Sequence, residues 1–127
     1  MILGLGTDLV AVARIRTAWQ RHGDRLAERV LTPAERQAGT ERVDFAAYLA
    51  SRFAAKEAGA KALGTGFREG IRLRDIEVQR APGEPPRLHW HGLAAEHAVR
   101  LGMARSHLSL SDDGAYAMAT VIIEGSE

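Results

Sequence analysis

The chain contains no cysteine. That excludes disulfide and thiolate chemistry and fits a reducing compartment. No apolar run approaches the ~20 residues that a membrane-spanning helix requires, so no membrane span is expected. The N-terminus lacks a basic region followed by an apolar stretch, so no signal peptide is expected, and the expected location is cytoplasmic. Internal repeats and low-complexity segments are absent. Neither sign of charge dominates: 17 Lys and Arg stand against 16 Asp and Glu, a formal net charge of +1. A general nucleic-acid-binding surface is therefore not expected. The nucleophile elbow of serine hydrolases, Gly-x-Ser-x-Gly, is missing as well.

What is present fits one unit. A chain of 127 residues has ordinary domain size, and 1–127 is read as a single domain. Such a chain buries roughly two-thirds of its unfolded surface, enough for a real core. The most informative stretch runs from Arg52 to Gly66. It reads as the second half of a long helix that opens near Asp44 and stops at Gly64, rich in strong helix formers and free of proline. Phe53, Glu57 and Lys61 lie four apart and share one stripe. Arg52 and Lys56 form a neighbouring stripe. Ala54, Ala58 and Ala62 form a third, with little side-chain volume, where another backbone can pack close. Glu57 and Lys61 alone could be an exposed ion pair worth about 0.2–0.5 kcal/mol. A carboxylate and several amines on a helix ending in Gly64-Thr65-Gly66 also suit a hard cation together with a phosphate chain. This is not a P-loop: no Lys precedes Thr65, and the glycines follow the helix rather than precede it.

Along the chain, Met1 to Val10 reads as a buried strand, with Gly4 and Gly6 where something approaches closely. Asp8 near its end is either an N-cap for the next helix or a ligand. Ala11 to His22 is an amphipathic helix on Val12, Ile15, Ala18 and Trp19. Its arginines, Arg14 and Arg21, continue as Arg25 and Arg29, and form either a solubilising face or a docking surface. Thr32-Pro33-Ala34-Glu35 carries a capping box and starts a short helix ending near Gly39. Arg74 to Arg80 and Arg87 to His91 alternate as strands around a turn at Ala81 to Pro86. Leu93 to Leu101 is a helix built on Leu93, His97 and Leu101. His107 to Ser111 and Ala115 to Glu124 pair as a hairpin across Asp112-Asp113-Gly114. The fold class is α+β: an antiparallel sheet packed with a long central helix.

Three segments then belong together: Gly4-Leu-Gly-Thr-Asp-Leu-Val10 with Arg14-Ile15, Arg52-Phe-Ala-Ala-Lys-Glu-Ala58 with Lys61-Ala-Leu-Gly-Thr-Gly66, and His107-Leu-Ser-Leu-Ser111 with Tyr116-Ala-Met-Ala119. In order and spacing the chain resembles the holo-acyl-carrier-protein synthases, the small bacterial phosphopantetheinyl transferases, end to end. The resemblance implies transfer of the 4′-phosphopantetheine arm of coenzyme A to a serine of apo-acyl carrier protein, as in fatty-acid or polyketide carrier activation. Adenosine 3′,5′-bisphosphate would be released. It implies Mg²⁺ held by Asp8 and Glu57, Lys61 on the phosphates, and His107 nearby on the facing hairpin. Gly64, Thr65 and Gly66 would line the nucleotide pocket, and Arg14, Arg21 and Arg52 would meet the acidic helix of the carrier. It also implies a homotrimer with sites between neighbouring subunits. Two carboxylates and a lysine suit such chemistry, since phosphoryl transfer needs positioning and charge neutralisation above all. A water held by Glu57 is the expected acceptor of the serine proton. Two other readings use part of the pattern: a non-enzymatic module that binds an acidic protein or RNA through the Arg-rich helix, and a metal-dependent nucleotide phosphohydrolase.

Overall fold

The computed structural model describes residues 1–127. In order the elements are β1 (Ile2–Ala11), α1 (Val12–His22), α2 (Asp24–Val30), α3 (Pro33–Gly39), α4 (Phe45–Leu63), a 3₁₀ turn (Leu73–Asp75), β2 (Ile76–Gln79), β3 (Arg87–Trp90), α5 (Gly92–Leu101), β4 (Met103–Asp112) and β5 (Tyr116–Gly125). The helix expected between Asp44 and Gly64 is α4. Asp44 caps it by accepting from the Ala47 N–H at 3.2 Å, and Gly64 ends it in the left-handed region at φ 85°, a conformation that costs glycine little. Thirteen of its nineteen residues are buried, so it is a core helix rather than an amphipathic surface one.

Two antiparallel sheets surround it. β1, β5 and β4 form one, in the order β1-β5-β4, and β2 and β3 form the other. The first sheet lays one face on α4. There Gly4 and Gly6 are obligatory: a Cβ on Gly4 would lie 1.9 Å from the Ala62 carbonyl oxygen, and one on Gly6 would lie 2.0 Å from that of Ala58. Strand backbone rests directly on helix backbone along the alanine stripe.

The expectation that β1 is a buried strand is corrected. Only one face is covered, since α4 packs on a single side of the sheet. Gly6 and Val10 are buried, whereas Leu5 and Leu9 are 64% and 63% exposed. Tyr116 and Met118 extend this outer apolar face across β5, Met118 opposite Leu9.

Two smaller corrections follow from local geometry. The strand expected from Arg74 starts at Ile76, because Asp75 accepts from the Arg72 N–H at 2.9 Å and closes a 3₁₀ turn. In α5 the buried positions are Ala94 and Ala98, while Leu93 is exposed and His97 and Leu101 sit at the rim. The small residues let the helix approach the core, and the larger ones are left at its edge.

On the far side of α4 lies a buried charge network. The expected capping box is present: Thr32 Oγ1 accepts from the Glu35 N–H at 3.2 Å and Glu35 Oε1 from the Thr32 N–H at 2.8 Å. Glu35 is also fully buried, and the Lys56 ammonium donates to its Oε1 at 2.7 Å and to the Ile76 carbonyl at 2.6 Å. Glu35 Oε2 accepts from the Val78 N–H at 2.8 Å. Glu77 is buried beside them, accepts from the Thr32 hydroxyl, and lies 3.0 Å from His91 Nε2. One carboxylate thus pins α3, α4 and β2 together. Burial lowers the pKa of Lys56, and the neighbouring Glu35 carboxylate partly restores it.

Glu35→Gln leaves a buried ammonium facing a neutral amide and is expected to cost about 3–5 kcal/mol of stability. Arg16→Ala removes a 2.8 Å but exposed pair with Asp44 and is expected to cost less than about 1 kcal/mol. Urea denaturation of both variants beside the parent checks the contrast.

Candidate active site

Strand alternation puts Gly4, Gly6, Asp8 and Val10 on the face of β1 that meets α4. Where the glycines have drawn strand and helix into contact, Asp8 arrives beside the stripe that carries Glu57 and Lys61. Lys61 Nζ donates to Asp8 Oδ1 at 3.1 Å and to the Thr7 carbonyl at 3.0 Å. Lys61 therefore pairs across the fold with Asp8 rather than with Glu57 one turn away. Asp8 does not cap α1: the N-cap is Ala11, with no side-chain cap bond.

Glu57 is half-buried and makes no side-chain hydrogen bond or ion pair. Its pKa is raised, first by burial and then by the Asp8 carboxylate, while Lys61 and Arg14 act the other way. Lys61 joins the segments at residues 7–8 and 61 directly, and Glu57 lies within electrostatic range of Asp8, Lys61 and Arg14. Two carboxylates with uncommitted oxygens are a hard-oxygen donor set. No group of three or more His, Cys, Asp or Glu side chains is arranged to hold a metal ion, so the protein offers no complete cage. This is the donor pattern suited to Mg²⁺, which takes one or two carboxylates and leaves its other positions to water and substrate phosphates. Asp8 and Glu57 fit that ion.

The Gly64-Thr65-Gly66 loop is placed beyond Lys61, with two of its three amides engaged. The Gly64 N–H donates to the Lys61 carbonyl at 2.9 Å and the Gly66 N–H to the Ala60 carbonyl at 3.1 Å. The buried Thr65 spends its hydroxyl on the Gly66 carbonyl at 2.8 Å. The Gly64 and Gly66 amides thus terminate α4. Positive charge at this end of α4 comes from Lys61 and from Arg68, whose Nε donates to the Thr65 carbonyl at 3.0 Å.

Arg14 and Arg21 are exposed on α1, and neither forms an ion pair. Arg52 is corrected: it is only 6% exposed and is not on that face. Its guanidinium stacks 4.5 Å from the Tyr48 ring centroid and donates through Nη1 to Ser51 Oγ at 3.0 Å. Its Nε is buried without a partner, and burial lowers its pKa. Tyr48, Arg52 and Lys56 are four apart, so they share the stripe turned away from Asp8. That spacing places the three together but does not by itself announce their burial. Arg52 instead lines a cleft of about 470 Å³ together with Arg42 and Arg80, a combination no sequence motif announces.

His107 lies in β4 on the outward face, paired with Glu124 of β5. Its partner across the ladder is Ile122, which in turn faces Leu5 of β1. Asp8 projects from the opposite face. Within one chain the structure does not bring His107 to Asp8, Glu57 and Lys61.

Residues 4–121 match the model of the 4′-phosphopantetheinyl transferase superfamily. The chain is 54% identical over 123 residues to the holo-[acyl-carrier-protein] synthase of Halorhodospira halophila, covering 97% of this chain and 98% of that one. It is 49% identical over 128 residues to the synthase of Alkalilimnicola ehrlichii, covering 100% of both. Among solved structures, the holo-[acyl-carrier-protein] synthase of Neisseria meningitidis superposes with a TM-score of 0.91 at 36% identity, covering 98% of this chain and 99% of that one. The Bacillus anthracis synthase, crystallised in complex with CoA (3′,5′-ADP), gives 0.82 at 33% identity, covering 99% of each.

Asp8→Asn removes a like charge and is expected to bring the Glu57 pKa down, whereas Lys61→Met removes a cation and is expected to raise it further. The pKa is already above the unfolded value, so ionising Glu57 costs folded-state stability as pH rises through that interval. Mg²⁺ needs the ionised form, and its affinity is therefore expected to weaken as pH falls through the raised pKa. A ¹³C NMR titration of the Glu57 carboxyl, with and without Mg²⁺, reads all three effects.

Proposed function

The chain belongs to the 4′-phosphopantetheinyl transferase superfamily, and we propose that its Asp8–Glu57–Lys61 cluster is the centre at which it works. The chain transfers the 4′-phosphopantetheine arm of coenzyme A to a serine of apo-acyl carrier protein and releases adenosine 3′,5′-bisphosphate. The observation that carries the assignment of the centre is the convergence of Asp8 with Lys61 at 3.1 Å, beside a Glu57 carboxylate that Asp8 perturbs.

In the proposed mechanism Asp8 and Glu57 would hold Mg²⁺, which would supply neutralisation of the diphosphate charge and polarisation of the phosphorus under attack. Lys61 contributes its ammonium to the same diphosphate and orients it. The walls at Gly64, Thr65 and Gly66 border the nucleotide end. The carrier serine oxygen attacks the phosphorus bearing pantetheine, the bond to the bridging oxygen breaks, and the nucleotide leaves with that oxygen. A water held by Glu57 takes the serine proton and passes it to the carboxylate as the new oxygen–phosphorus bond forms. Arg14 and Arg21, unpaired on α1, are placed to meet an acidic carrier.

His107 and the outer sheet face support assembly. Leu5, Leu9, Tyr116 and Met118 form an exposed apolar surface, of the kind that marks association between chains. Homotrimerisation through this face is our reading. It would carry His107 of one subunit towards the Asp8–Glu57 centre of a neighbour, where its imidazole could join the co-substrate. No helix is long and apolar enough to cross a membrane; a cytoplasmic setting and residues 1–127 acting as one transferase domain complete the proposal.

Incubation with coenzyme A, Mg²⁺ and apo-carrier is expected to add the phosphopantetheine mass to the carrier, read by mass spectrometry. Coenzyme A cleavage without carrier modification would instead indicate a hydrolase. Glu57→Gln is expected to lower turnover at saturating Mg²⁺ by about 10²-fold or more; full turnover would remove Glu57 from proton transfer. Arg14→Glu is expected to raise the KM for carrier more than that for coenzyme A, with strong salt dependence, and an equal rise in both would count against docking on α1.

A further inference from the structure

The half of α4 that carries Glu57 and Lys61 is built almost without buried side chains that could set its orientation. Between Leu49 and Leu63 its buried residues are Ala and Gly, with two exceptions, Arg52 and Lys56. Alanine and glycine make shallow ridges, and shallow ridges do not lock a helix against rolling about its axis. The stripe that meets β1 is the smoothest part, because backbone lies on backbone there. Arg52 adds no anchor outside the helix: its stacking and hydrogen-bond partners, Tyr48 and Ser51, both belong to α4. Tyr48 is tied to α3, its hydroxyl donating to the Glu35 carbonyl at 2.7 Å, but it sits in the first turn. Lys61 is tied to β1 from an exposed position. Lys56, by contrast, is fully buried and is the largest such side chain in the molecule. Its ammonium donates to Glu35 Oε1 of α3 and to the Ile76 carbonyl of β2. Glu35 Oε2 in turn accepts from the Val78 N–H of β2, so both acceptors belong to one platform.

We propose that Lys56 is a positioning residue for the transfer: by clamping α4 to α3 and β2 it fixes the roll that aims Glu57 at the cation site shared with Asp8. The inference rests on the reading of Asp8, Glu57 and Lys61 as the centre. Adjacent helical residues stand about 100° apart around the axis, so holding Lys56 fixes the direction of Glu57. Side chains end roughly 5–6 Å from the axis, and a roll of about 10° therefore swings a carboxylate through about 1 Å. Mg²⁺ takes its oxygens at about 2.0–2.1 Å in near-ideal octahedral geometry, which does not absorb such a displacement. Two directional bonds from one ammonium to two elements allow a single roll. An apolar side chain of the same length fills the space at several.

The test combines Lys56→Met with Glu35→Gln in one chain. Both charges leave together, so neither stays buried without its partner, and Gln at position 35 can still serve the capping box. The double variant is expected to unfold cooperatively, with a urea midpoint within about 1 M of the parent's. Mg²⁺ binding to the free protein is followed by the ¹³C resonance of the Asp8 carboxyl, and kcat by carrier mass. Mg²⁺ affinity and kcat are each expected to fall about 10- to 100-fold, while the KM for carrier stays within about twofold, because the α1 arginines do not touch the clamp. Parental Mg²⁺ affinity and kcat in the folded double variant, with Glu57→Gln weakened in both, would overturn the positioning role alone. Parental Mg²⁺ affinity in the double variant and in Glu57→Gln alike would overturn the centre, and the positioning role with it. A double variant that is only partly folded is measured again in trimethylamine N-oxide, which favours the folded state. Recovery of the parental kcat there would mean that only folded protein had been lost and would overturn the role; a deficit that persists in the fully folded chain upholds it.

Discussion

Everything at the centre depends on a strand lying on a helix with no side chains between them. Gly4 and Gly6 meet the carbonyl oxygens of Ala62 and Ala58 at distances no Cβ could tolerate. That contact decides how far Asp8, two residues on, stands from Glu57 and Lys61. A methyl group inserted at either glycine would have to push strand and helix apart, since the clash is with backbone rather than with a flexible side-chain end. Overpacking of this kind costs stability, but the geometric consequence is sharper. Two carboxylates serve one cation only at short range, so a displacement too small to unfold the protein would still separate them.

The opposite side of α4 is held by a different device. Lys56, Glu35 and Glu77 are buried charges, and such groups gain little net stability because desolvation consumes most of the attraction. What they supply is orientation. Lys56 has donor contacts to both α3 and β2, which sets the rotation of α4 about its axis. With Tyr48, Arg52 and Lys56 turned to that side, Glu57 and Lys61 are turned towards β1. Apolar residues of similar volume could fill the space, but they would accept more than one rotation.

Much of this was legible in the sequence. The ends of α4, the capping box at Thr32 and Glu35 and the final hairpin all follow from local patterns with definite physical meanings, whereas grouping Asp8 with Glu57 and Lys61 rested on the family resemblance. Residues whose fate depends on the far side of the fold were not legible. Lys56 and Arg52 look like solvent cations until Glu35 and Tyr48 are seen to cover them. That the Gly64 and Gly66 amides would turn back to close the helix is likewise not written in the loop's own residues. β1 reads as buried because Ile2, Leu3, Leu5 and Leu9 are apolar, and only the topology reveals that one face has nothing from its own chain upon it. The split of the strands into two sheets, likewise, is not encoded in any single strand.

The β1-β5-β4 sheet is a single layer, with Asp8 on one surface and His107 on the other. A substrate that needs both must be clasped between two copies, front of one against back of the next. In the proposed assembly each copy would serve two substrates by halves. A copy crippled at Asp8 and another crippled at His107 could, when mixed, reconstitute an intact pairing that neither possesses alone, and a single defective copy in a closed ring would spoil more than its own share.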